Sequence, residues 1–399
     1  MKKDVINLDA IIDRNEVPTL KFDGVMMESV FGEKELWPSW VADMDFMASP
    51  AVINALSRRL SHGIFGYESS TAVLPEAVVN WFSRKHNWGF RADQIVTTPR
   101  TLNSLAVMID LFTDAGDGVI VQPPVFYDFK VIISANQRHL VKNPLKFDNG
   151  KYQMDFDNLQ AVTAVPENKL LILCNPHNPI ARVWSKQDLL KLSEICIAND
   201  VFIIADEIHG DITFDNNYIP LASVSTGAAL NCASCISPIK SFNLAGVSNS
   251  MIVIENDDKR SLCKDWYNRF EVNKNNVFTN AAMVAAYTNG EPWLNQVTEY
   301  LAGNIEMLRS FLQQKIRRVK LIEPEGTYLI WLDFRELNLE VKQLEAFLVH
   351  DARMALNPGH WFGREGAGFA RLNIACPRSV LKAALDQLEN AVNKLPGNI

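Results

Sequence analysis

The chain has 399 residues, more than the ~100–200 residues of one ordinary domain, so two domains or one large α/β unit with a smaller partner are expected. Hydrophobic residues make up 48% of the chain and charged residues 21%, a balance typical of a soluble globular protein with a sizeable core. The net charge is −7 without a long run of either sign, which argues against a nucleic-acid surface built from bulk positive charge.

The sequence also argues against membrane insertion and secretion. No uncharged apolar stretch approaches the ~18–20 residues that a membrane-spanning helix requires. Lys2 and Lys3 are followed by Asp4, Asp9 and Asp13, which interrupt the apolar region that a signal peptide needs. We therefore expect a cytoplasmic protein that works without a membrane or a nucleic acid as partner.

The cysteines do not predict a disulfide scaffold, because six are too few in a chain of this length. Cys232 and Cys235 form a C-x-x-C pair, but no second pair lies nearby. Small buried thiols are therefore expected rather than a redox centre, and no metal site is predicted.

Short apolar runs alternate with helical patterns through residues 49–289, which is typical of a mostly parallel sheet covered by helices. The predicted elements, in chain order, are a helix that begins at Ser49-Pro50, strands at residues 119–121 and 170–174, a helix that begins with a capping box at Ser185 and Asp188, and a strand at residues 201–205. Ligands of such sheets bind beyond the carboxyl ends of the strands, so the polar residues that end these runs are the functional candidates.

The pattern changes after about residue 290. A long helix is predicted at about residues 293–317, followed by strands near residues 328–334 and 369–375 and a closing amphipathic helix at about residues 381–392. This pattern is typical of a smaller α+β domain.

The predicted fold class is therefore α/β, with a large domain whose mostly parallel sheet lies between helices and a smaller α+β domain formed by the amino- and carboxyl-terminal segments. Residues 1–48 are expected to join the small domain. Residues 49–289 are expected to form the large domain, and residues 290–399 the rest of the small one.

Polar residues that could take part in catalysis or binding follow several of these strands. An Asn-Pro-His-Asn-Pro turn presents the amide of Asn178, and Asp206 comes directly after a buried strand with His209 nearby. Lys240 lies in an otherwise apolar stretch, and a buried lysine has a lowered pKa and can attack a carbonyl. Arg371 alternates with apolar residues on a predicted strand, and its guanidinium suits a carboxylate.

Taken singly, each of these residues also has a structural explanation. Asn178 could belong to a plain turn, Asp206 could cap a helix, and Lys240 could be structural. Arg371 could form a surface ion pair. The order of the motifs along the chain is more specific than any one residue.

That order, Asn-Pro-x-Asn-Pro, Asp-Glu-x-His, Ser-x-x-Lys and Arg-x-Asn, resembles the fold-type I pyridoxal-phosphate (PLP) enzymes, the aspartate aminotransferase superfamily of class I/II. Further segments are similar to its MalY/PatB cystathionine β-lyase subfamily. They are WVADMDF at 40–46, HGIFGY at 62–67, DEIH at 206–209, PEGTYL at 324–329 and RLNIACPR at 371–378. The resemblance covers nearly the whole chain.

The resemblance implies a role for each of the candidate residues. Lys240 would bind PLP as an imine and then move the Cα proton of the substrate. Asp206 would pair with the pyridine nitrogen, while Asn178 and His209 would hydrogen-bond the phenolic oxygen. Arg371 would hold the substrate α-carboxylate. Tyrosine is commoner than histidine at the position of His209 in the wider superfamily, so the histidine favours the lyase branch.

The resemblance also implies contacts around the cofactor ring and the substrate. Phe126 would stack on the ring with Tyr127 beside it, although Phe126 could also be an ordinary core aromatic. Met44 would contact the substrate.

The phosphate of the cofactor would lie at the start of a helix, against the backbone amides near Thr101 and Leu102 and close to Arg100. Ser237 would add a hydroxyl. Tyr67 would reach the phosphate of the neighbouring subunit, so the site would require a homodimer.

Several positions depart from the usual pattern of the family. Ile180-Ala181 replaces a common Thr-Gly, and Ile239 stands where a serine or threonine commonly offers a hydroxyl to the phosphate. Ser248 lies where many aminotransferases have a phosphate-binding arginine. Arg100 occupies a place usually held by a small residue, and we expect it to compensate if its side chain turns inward.

The activity implied by the subfamily is a PLP-dependent β-lyase that cleaves the carbon–sulfur bond of cystathionine or a related cysteine S-conjugate to pyruvate, ammonia and a thiol. The same residues serve transamination, so a PLP-dependent aminotransferase is the alternative. A regulatory PLP-binding protein with vestigial catalysis is a third, less favoured hypothesis, motivated by the departures from the family pattern.

Overall fold

The computed structural model describes residues 6–69, 72–214, 218–272, 274 and 276–396. Lys2, Lys3 and Asp4, on which part of the expectation about the amino terminus depends, lie outside these residues. Within these ranges, the structure contains no helix with the length and apolar character that crossing a membrane requires.

The α-helices of the described residues range in length from 4 to 25 residues. They are α1 (Gly24–Phe31), α2 (Pro50–His62), α3 (Val73–His86), α4 (Thr101–Phe112), α5 (Asp128–Ala135), α6 (Phe156–Thr163), α7 (Lys186–Ala198), α8 (Thr226–Leu230), α9 (Pro238–Ser241), α10 (Asp257–Arg269), α11 (Val277–Asn289), α12 (Glu291–Lys315), α13 (Val341–Ala346) and α14 (Arg378–Val392). The long helix predicted at 293–317 is α12, and the closing helix is α14.

The strands form one large sheet, one small sheet and two pairs. They are β1 (Trp37–Pro38), β2 (Ile95–Thr98), β3 (Gly118–Val121), β4 (His139–Lys142), β5 (Lys146–Asp148), β6 (Lys151–Gln153), β7 (Asn168–Cys174), β8 (Phe202–Asp206), β9 (Cys232–Ile236), β10 (Ser250–Ile254), β11 (Lys320–Leu321), β12 (Leu329–Asp333), β13 (Met354–Ala355), β14 (Asn357–Pro358) and β15 (Phe369–Asn373).

The large sheet has the order β2-β10-β9-β8-β7-β3-β4 among the described residues. Strands β9, β8, β7, β3 and β4 are parallel, while β10 is antiparallel to both of its neighbours. The predicted mostly parallel sheet is therefore confirmed. Because β10 is antiparallel to both β2 and β9, these two neighbours run in the same direction as each other. The carboxyl ends of β2, β3, β7, β8 and β9 therefore meet at one edge of the sheet.

The apolar runs predicted as strands are β3, β7 and β8, and helices cover both of their faces. In β7, residues 170–174 are all buried, and every residue of β8 is buried. The predicted helix starts are also confirmed. The Ser49 hydroxyl accepts the N–H of Ala51 at 3.3 Å, and Ser185 forms a reciprocal capping box with Asp188.

The small sheet has the antiparallel order β11-β12-β15-β14. The amino-terminal segment lies against it, because Asn373 of β15 donates hydrogen bonds to the carbonyls of Val41 (2.8 Å) and Asp43 (2.7 Å). Strand β1 also pairs with β13 in parallel. The division at residues 48 and 289 stays a prediction.

All six cysteines are buried and unbonded to one another, as the sequence predicts. Cys232 and Cys235 lie on β9, and burial raises the pKa of each thiol well above its ordinary value. These two side chains therefore behave as small apolar core residues.

Candidate active site

The segments that contain the candidate residues meet where the strands of the large sheet end. Each segment follows a different strand, so the parallel topology brings distant parts of the sequence together. They are residues 99–102 after β2, 122–127 after β3, 175–178 after β7, 207–209 after β8 and 237–240 after β9. Arg371 reaches the same region from β15 of the small sheet.

Lys240 lies on the short helix α9, which begins after Ser237. The Ser237 hydroxyl accepts the N–H of Ile239 at 3.2 Å and donates to the carbonyl of Asn249 at 2.8 Å. The Lys240 amine donates a 2.8 Å hydrogen bond to the carbonyl of Ala42. The amine is therefore held between the large sheet and the amino-terminal segment.

The surroundings of Lys240 favour its neutral form. Burial lowers the pKa of the amine to about 8, and the positive charge of Arg371 lowers it further, while Asp43 and Asp206 act in the opposite direction. A neutral amine at near-physiological pH is a nucleophile toward carbonyl carbon and an acceptor for protons.

Asp206 is the last residue of β8 and stands in register between Cys174 of β7 and Cys235 of β9. Its side chain is buried, and one oxygen accepts the N–H of Ile208 at 3.4 Å. Burial raises the pKa of this carboxyl to about 6, although the charge of Lys240 lowers it. A buried acid without a tight cationic partner is suited to bind the positively charged or protonated nitrogen of a ligand.

Arg371 is 2% exposed. The structural alternative for this residue, a surface ion pair, is therefore wrong. Its guanidinium donates to Asn178 Oδ1 (2.9 Å), Asn357 Oδ1 (2.7 Å) and the Trp40 carbonyl (2.8 Å), and it lies over the Phe362 ring. The Nε atom is buried without a hydrogen-bond partner in the described part of the chain. Among the described residues, no acidic side chain is bonded to the Arg371 guanidinium. The guanidinium is therefore suited to bind a carboxylate ligand.

His209 is buried, and its Nδ1 atom lacks a hydrogen-bond partner among the residues described. Burial lowers the pKa of the imidazole well below its ordinary value, and the charges of Lys240 and Arg371 lower it further. The ring is therefore neutral. It packs edge-to-face against Tyr328, whose hydroxyl donates a 2.9 Å hydrogen bond to the Ala42 carbonyl.

Phe126 and Tyr127 follow β3 with their rings 5.1 Å apart. Burial raises the pKa of the Tyr127 hydroxyl, and the charge of Arg371 acts against this rise. The stacking of Phe126 on a cofactor ring stays a prediction.

The amino terminus of α4 lies at the same sheet edge. Thr101 is buried and its hydroxyl donates to Ser250 at 3.1 Å, while Leu102 is half-buried. Arg100 precedes the helix with an extended backbone and is exposed, rather than packed among the buried groups. The Ser248 hydroxyl donates to the carbonyl of Leu244.

Met44 and Tyr67 have very different surroundings. The Met44 side chain is 2% exposed and belongs to the main hydrophobic core, and its N–H donates to Asn243 Oδ1 at 3.0 Å. Tyr67 is fully exposed and lines a surface cleft of about 1440 Å³ beside α2 and α11. Their contacts with a ligand stay predictions.

The departure from the family pattern at Ala181 has a conformational consequence. Ala181 has φ = 56°, in the left-handed region that favours glycine, and it is completely buried. Its carbonyl accepts the N–H groups of Glu325 (2.8 Å) and Gly326 (3.2 Å), and Glu325 forms an ion pair with Arg182. The turn after Asn178 is thus joined to the segment before β12.

Sequence reasoning missed Tyr328 and the Ala42 carbonyl. Both belong to segments, 324–329 and 40–46, that carry the family resemblance, but a backbone carbonyl leaves no signal in residue type. It also missed Asp43, whose charge acts on the pKa of Lys240.

Comparisons with known proteins identify the family of this chain. The family model described as aminotransferase class I and II matches residues 41–388. Cystathionine β-lyase PatB of Bacillus subtilis is 36% identical over 389 residues, which cover 97% of this chain and 100% of PatB. A solved PLP-bound structure from Clostridium difficile 630, assigned provisionally as an aminotransferase, is 39% identical with a TM-score of 0.95 and covers 98% of this chain and 100% of that one.

Cystalysin from Treponema denticola, solved with a pyridoxal 5′-phosphate cofactor, is 31% identical with a TM-score of 0.92. The match covers 98% of this chain and 100% of cystalysin. The family model and the full-length relatives thus agree on both sequence and fold. The chain belongs to the aminotransferase class I and II family.

Proposed function

We propose that this protein is a PLP-dependent carbon–sulfur β-lyase that acts on cystathionine or a related cysteine S-conjugate. The proposal depends most directly on one observation. Lys240, a half-buried residue whose amine has a lowered pKa, shares one site with the buried acid Asp206 and the buried guanidinium of Arg371. The similarity to PatB and cystalysin supports the choice of this chemistry within the family.

The residues of the site fit the functional groups of PLP. Lys240 offers an amine to the aldehyde, and Asp206 offers a carboxylate to the ring nitrogen. The unpartnered Nδ1 of His209 and the amide of Asn178 are available to the phenolic oxygen. The N–H groups at the start of α4 are suited to the phosphate. We propose that these residues hold the cofactor.

Bound PLP supplies an electron sink for the negative charge that develops at the substrate Cα. Arg371 binds the α-carboxylate and so orients the Cα–H bond toward the Lys240 amine, which takes the proton. Asp206 keeps a proton on the ring nitrogen, because its carboxylate stabilises the positive charge there. His209, which is neutral, donates a hydrogen bond without adding charge.

Loss of the sulfur substituent from Cβ distinguishes the lyase from the aminotransferase. In the lyase reaction, cystathionine and water give homocysteine, pyruvate and ammonia without a second substrate. Purified protein supplied with cystathionine alone should therefore release pyruvate, ammonia and a thiol in equal amounts. A strict requirement for an added 2-oxo acid would favour transamination, and a visible cofactor band without turnover of any sulfur amino acid would favour the regulatory hypothesis.

We further propose that the protein forms a homodimer in which Tyr67 reaches the phosphate bound by the partner subunit. Tyr67 is fully exposed, and the cleft that it lines also contains the exposed aromatic Phe65 and the charged side chains of Arg58 and Arg59. Apolar side chains gathered at a wide surface cleft are typical of a protein interface.

Hybrid dimers test this arrangement. A dimer of one Lys240→Ala chain and one Tyr67→Ala chain, isolated with two affinity tags, should have one intact site and about half of the wild-type turnover. If Tyr67 instead serves its own subunit, neither site of the hybrid is intact, and its turnover cannot exceed half that of the Tyr67→Ala homodimer.

The contribution of Arg100 to phosphate binding also remains a proposal. Ile239 offers no hydroxyl and the Ser248 hydroxyl is already bonded to Leu244, so neither position supplies a free side-chain donor to a phosphate. Arg100 flanks the amino terminus of α4, where the backbone N–H groups are free to bind an anion.

A further inference from the structure

A buried carboxylate lies behind the turn that carries Lys240. Asp211 follows His209 by two residues and accepts hydrogen bonds on both oxygens. Its Oδ2 accepts the hydroxyl of Ser241 at 2.8 Å, and its Oδ1 accepts Trp81 Nε1 (2.8 Å) and His86 Nε2 (2.7 Å). A carboxylate only accepts, so His86 must carry its proton on Nε2.

The carboxylate stays charged although it is buried. Burial alone would raise the pKa of Asp211, but hydrogen bonds from His86, Trp81 and Ser241 together lower it below its ordinary value. Removing this carboxylate alone would leave the donors of Trp81, His86 and Ser241 without their acceptor, so Asp211 ties these three side chains together.

Ser241 connects the Asp211 carboxylate to the turn that contains Lys240. Lys240 and Ser241 are consecutive residues of α9, so their side chains leave the turn about 100° apart. The Lys240 side chain extends toward Ala42, and the Ser241 hydroxyl extends in another direction to Asp211. With Ser237 bonded to the carbonyl of Asn249, the turn is anchored at both of its ends.

Asp211 also connects this turn to two other elements. Trp81 and His86 both lie on α3, and the loop that carries Asp211 begins at Asp206, the last residue of β8. The loop is internally bonded, since the N–H of Ile212 donates to the carbonyl of His209 at 3.0 Å. One carboxylate therefore fixes the relative positions of α3, the loop after β8 and α9.

We propose that Asp211 is a positioning residue, which acts through Ser241 to hold the Lys240 amine where it meets both cofactor and substrate. The inference rests on the proposed function, because it assigns Lys240 the proton transfer. Among the described residues, Asp211 makes no hydrogen bond to the Lys240 amine, which donates to Ala42 instead. Its effect is to limit the orientations of the turn, and misplacing a reacting group by about 1 Å can reduce a rate about 100-fold.

The test compares Ser241→Ala with Ser193→Ala in the PLP-loaded dimer. Ser193 is a matched control, because it is 1% exposed and its hydroxyl also makes one 2.8 Å hydrogen bond, to Leu190 on α7. Ser241→Ala should lower kcat for cystathionine about 10–100-fold, change KM less than about threefold, and move the pH at which the visible absorption of the bound cofactor changes. Ser193→Ala should leave kcat, KM and absorption unchanged.

A double-mutant cycle separates the route through Ser241 from a general effect. If Asp211 acts through Ser241, the Ser241→Ala, Asp211→Ala double variant should have the kcat of Asp211→Ala alone, rather than the product of the two losses. If Asp211→Ala does not fold, the Ser241→Ala result decides by itself.

Two results would overturn the inference, and they are distinguishable. A wild-type kcat and absorption in Ser241→Ala, beside an active Ser193→Ala protein, would refute the positioning role alone. Absence of a cofactor band or of pyruvate release from both wild type and Ser193→Ala would refute the proposed function, and the inference with it.

Discussion

Arg371 and Asn178 join the two sheets of the protein through a 2.9 Å hydrogen bond from the guanidinium to the amide oxygen. Arg371 lies on β15 of the small sheet, and Asn178 follows β7 of the large one. The residue proposed to hold the substrate is therefore bonded to a residue proposed to hold the cofactor. If both roles hold, this hydrogen bond couples substrate binding to cofactor binding.

Arg371→Lys tests the forked geometry of this contact. Lysine keeps the positive charge but cannot donate from a planar fork to Asn178, Asn357 and a substrate carboxylate at once. We expect kcat/KM for cystathionine to fall about 10–100-fold, mostly through KM, since a hydrogen bond to a charged group contributes about 1.5–3 kcal/mol. Steady-state kinetics check this, and an unchanged KM would contradict it.

The pH dependence of cofactor binding tests the state of Lys240. Only the neutral amine attacks an aldehyde, and its fraction rises with pH through the pKa of about 8, compared with the ordinary value of 10.5. The rate at which cofactor-free protein regains its visible band on addition of PLP should therefore rise with pH and level off above about pH 8. A rate that still climbs steeply above pH 9.5 would indicate an ordinary lysine.

Asp206→Asn should change stability and turnover in opposite directions. Because burial raises the pKa of Asp206 from 3.8 to about 6, the protonated carboxyl stabilises the fold at low pH, and this contribution is lost as pH rises through 6. In cofactor-free protein at pH 7.5, asparagine should raise the free energy of unfolding by roughly 1–3 kcal/mol, with a smaller gain at pH 4.

With PLP bound, the same variant should lose about 100–1000-fold in kcat, because the ring nitrogen loses its negative partner. Urea unfolding at both pH values and steady-state rates measure the two effects. Near-normal turnover of Asp206→Asn would contradict the role proposed for the acid.

Ala181→Gly tests the cost of the departure from the family pattern. Ala181 has a φ of 56°, and a left-handed conformation costs a residue with a Cβ about 1–2 kcal/mol. Glycine avoids this cost, but it loses more backbone entropy on folding, which offsets part of the gain. The variant should raise the free energy of unfolding by up to about 1 kcal/mol. Ala205→Gly, at an equally buried strand position, should lower it. Destabilisation by both substitutions would show that Ala181 is not strained.

The sequence predicts three strands of the large sheet, β3, β7 and β8, because they are buried on both faces and form continuous apolar runs. It does not indicate that β10 is antiparallel, since hydrophobic periodicity contains no information on strand direction. Strands of two residues, such as β11 and β13, are too short to produce a periodic signal.

The same contrast applies to the candidate site. Lys240, Asp206 and Arg371 are recognisable because a charged residue inside an apolar run is unusual. Tyr328 and Asp211 are not, since an aromatic residue in a strand-like segment and an acid in a loop are common. Only the folded chain shows that the first shares the Ala42 carbonyl with Lys240 and that the second is bonded to Ser241.

Covalent attachment of PLP at one amine is the central claim, and reduction with borohydride measures it directly. The imine of a lysine is converted to a stable secondary amine, so the labelled residue can be located by peptide mass mapping. We expect one pyridoxyl group per chain, on Lys240, and neither a label nor a visible band in Lys240→Ala. A label on another lysine, or none in protein that has bound the cofactor, would contradict the account.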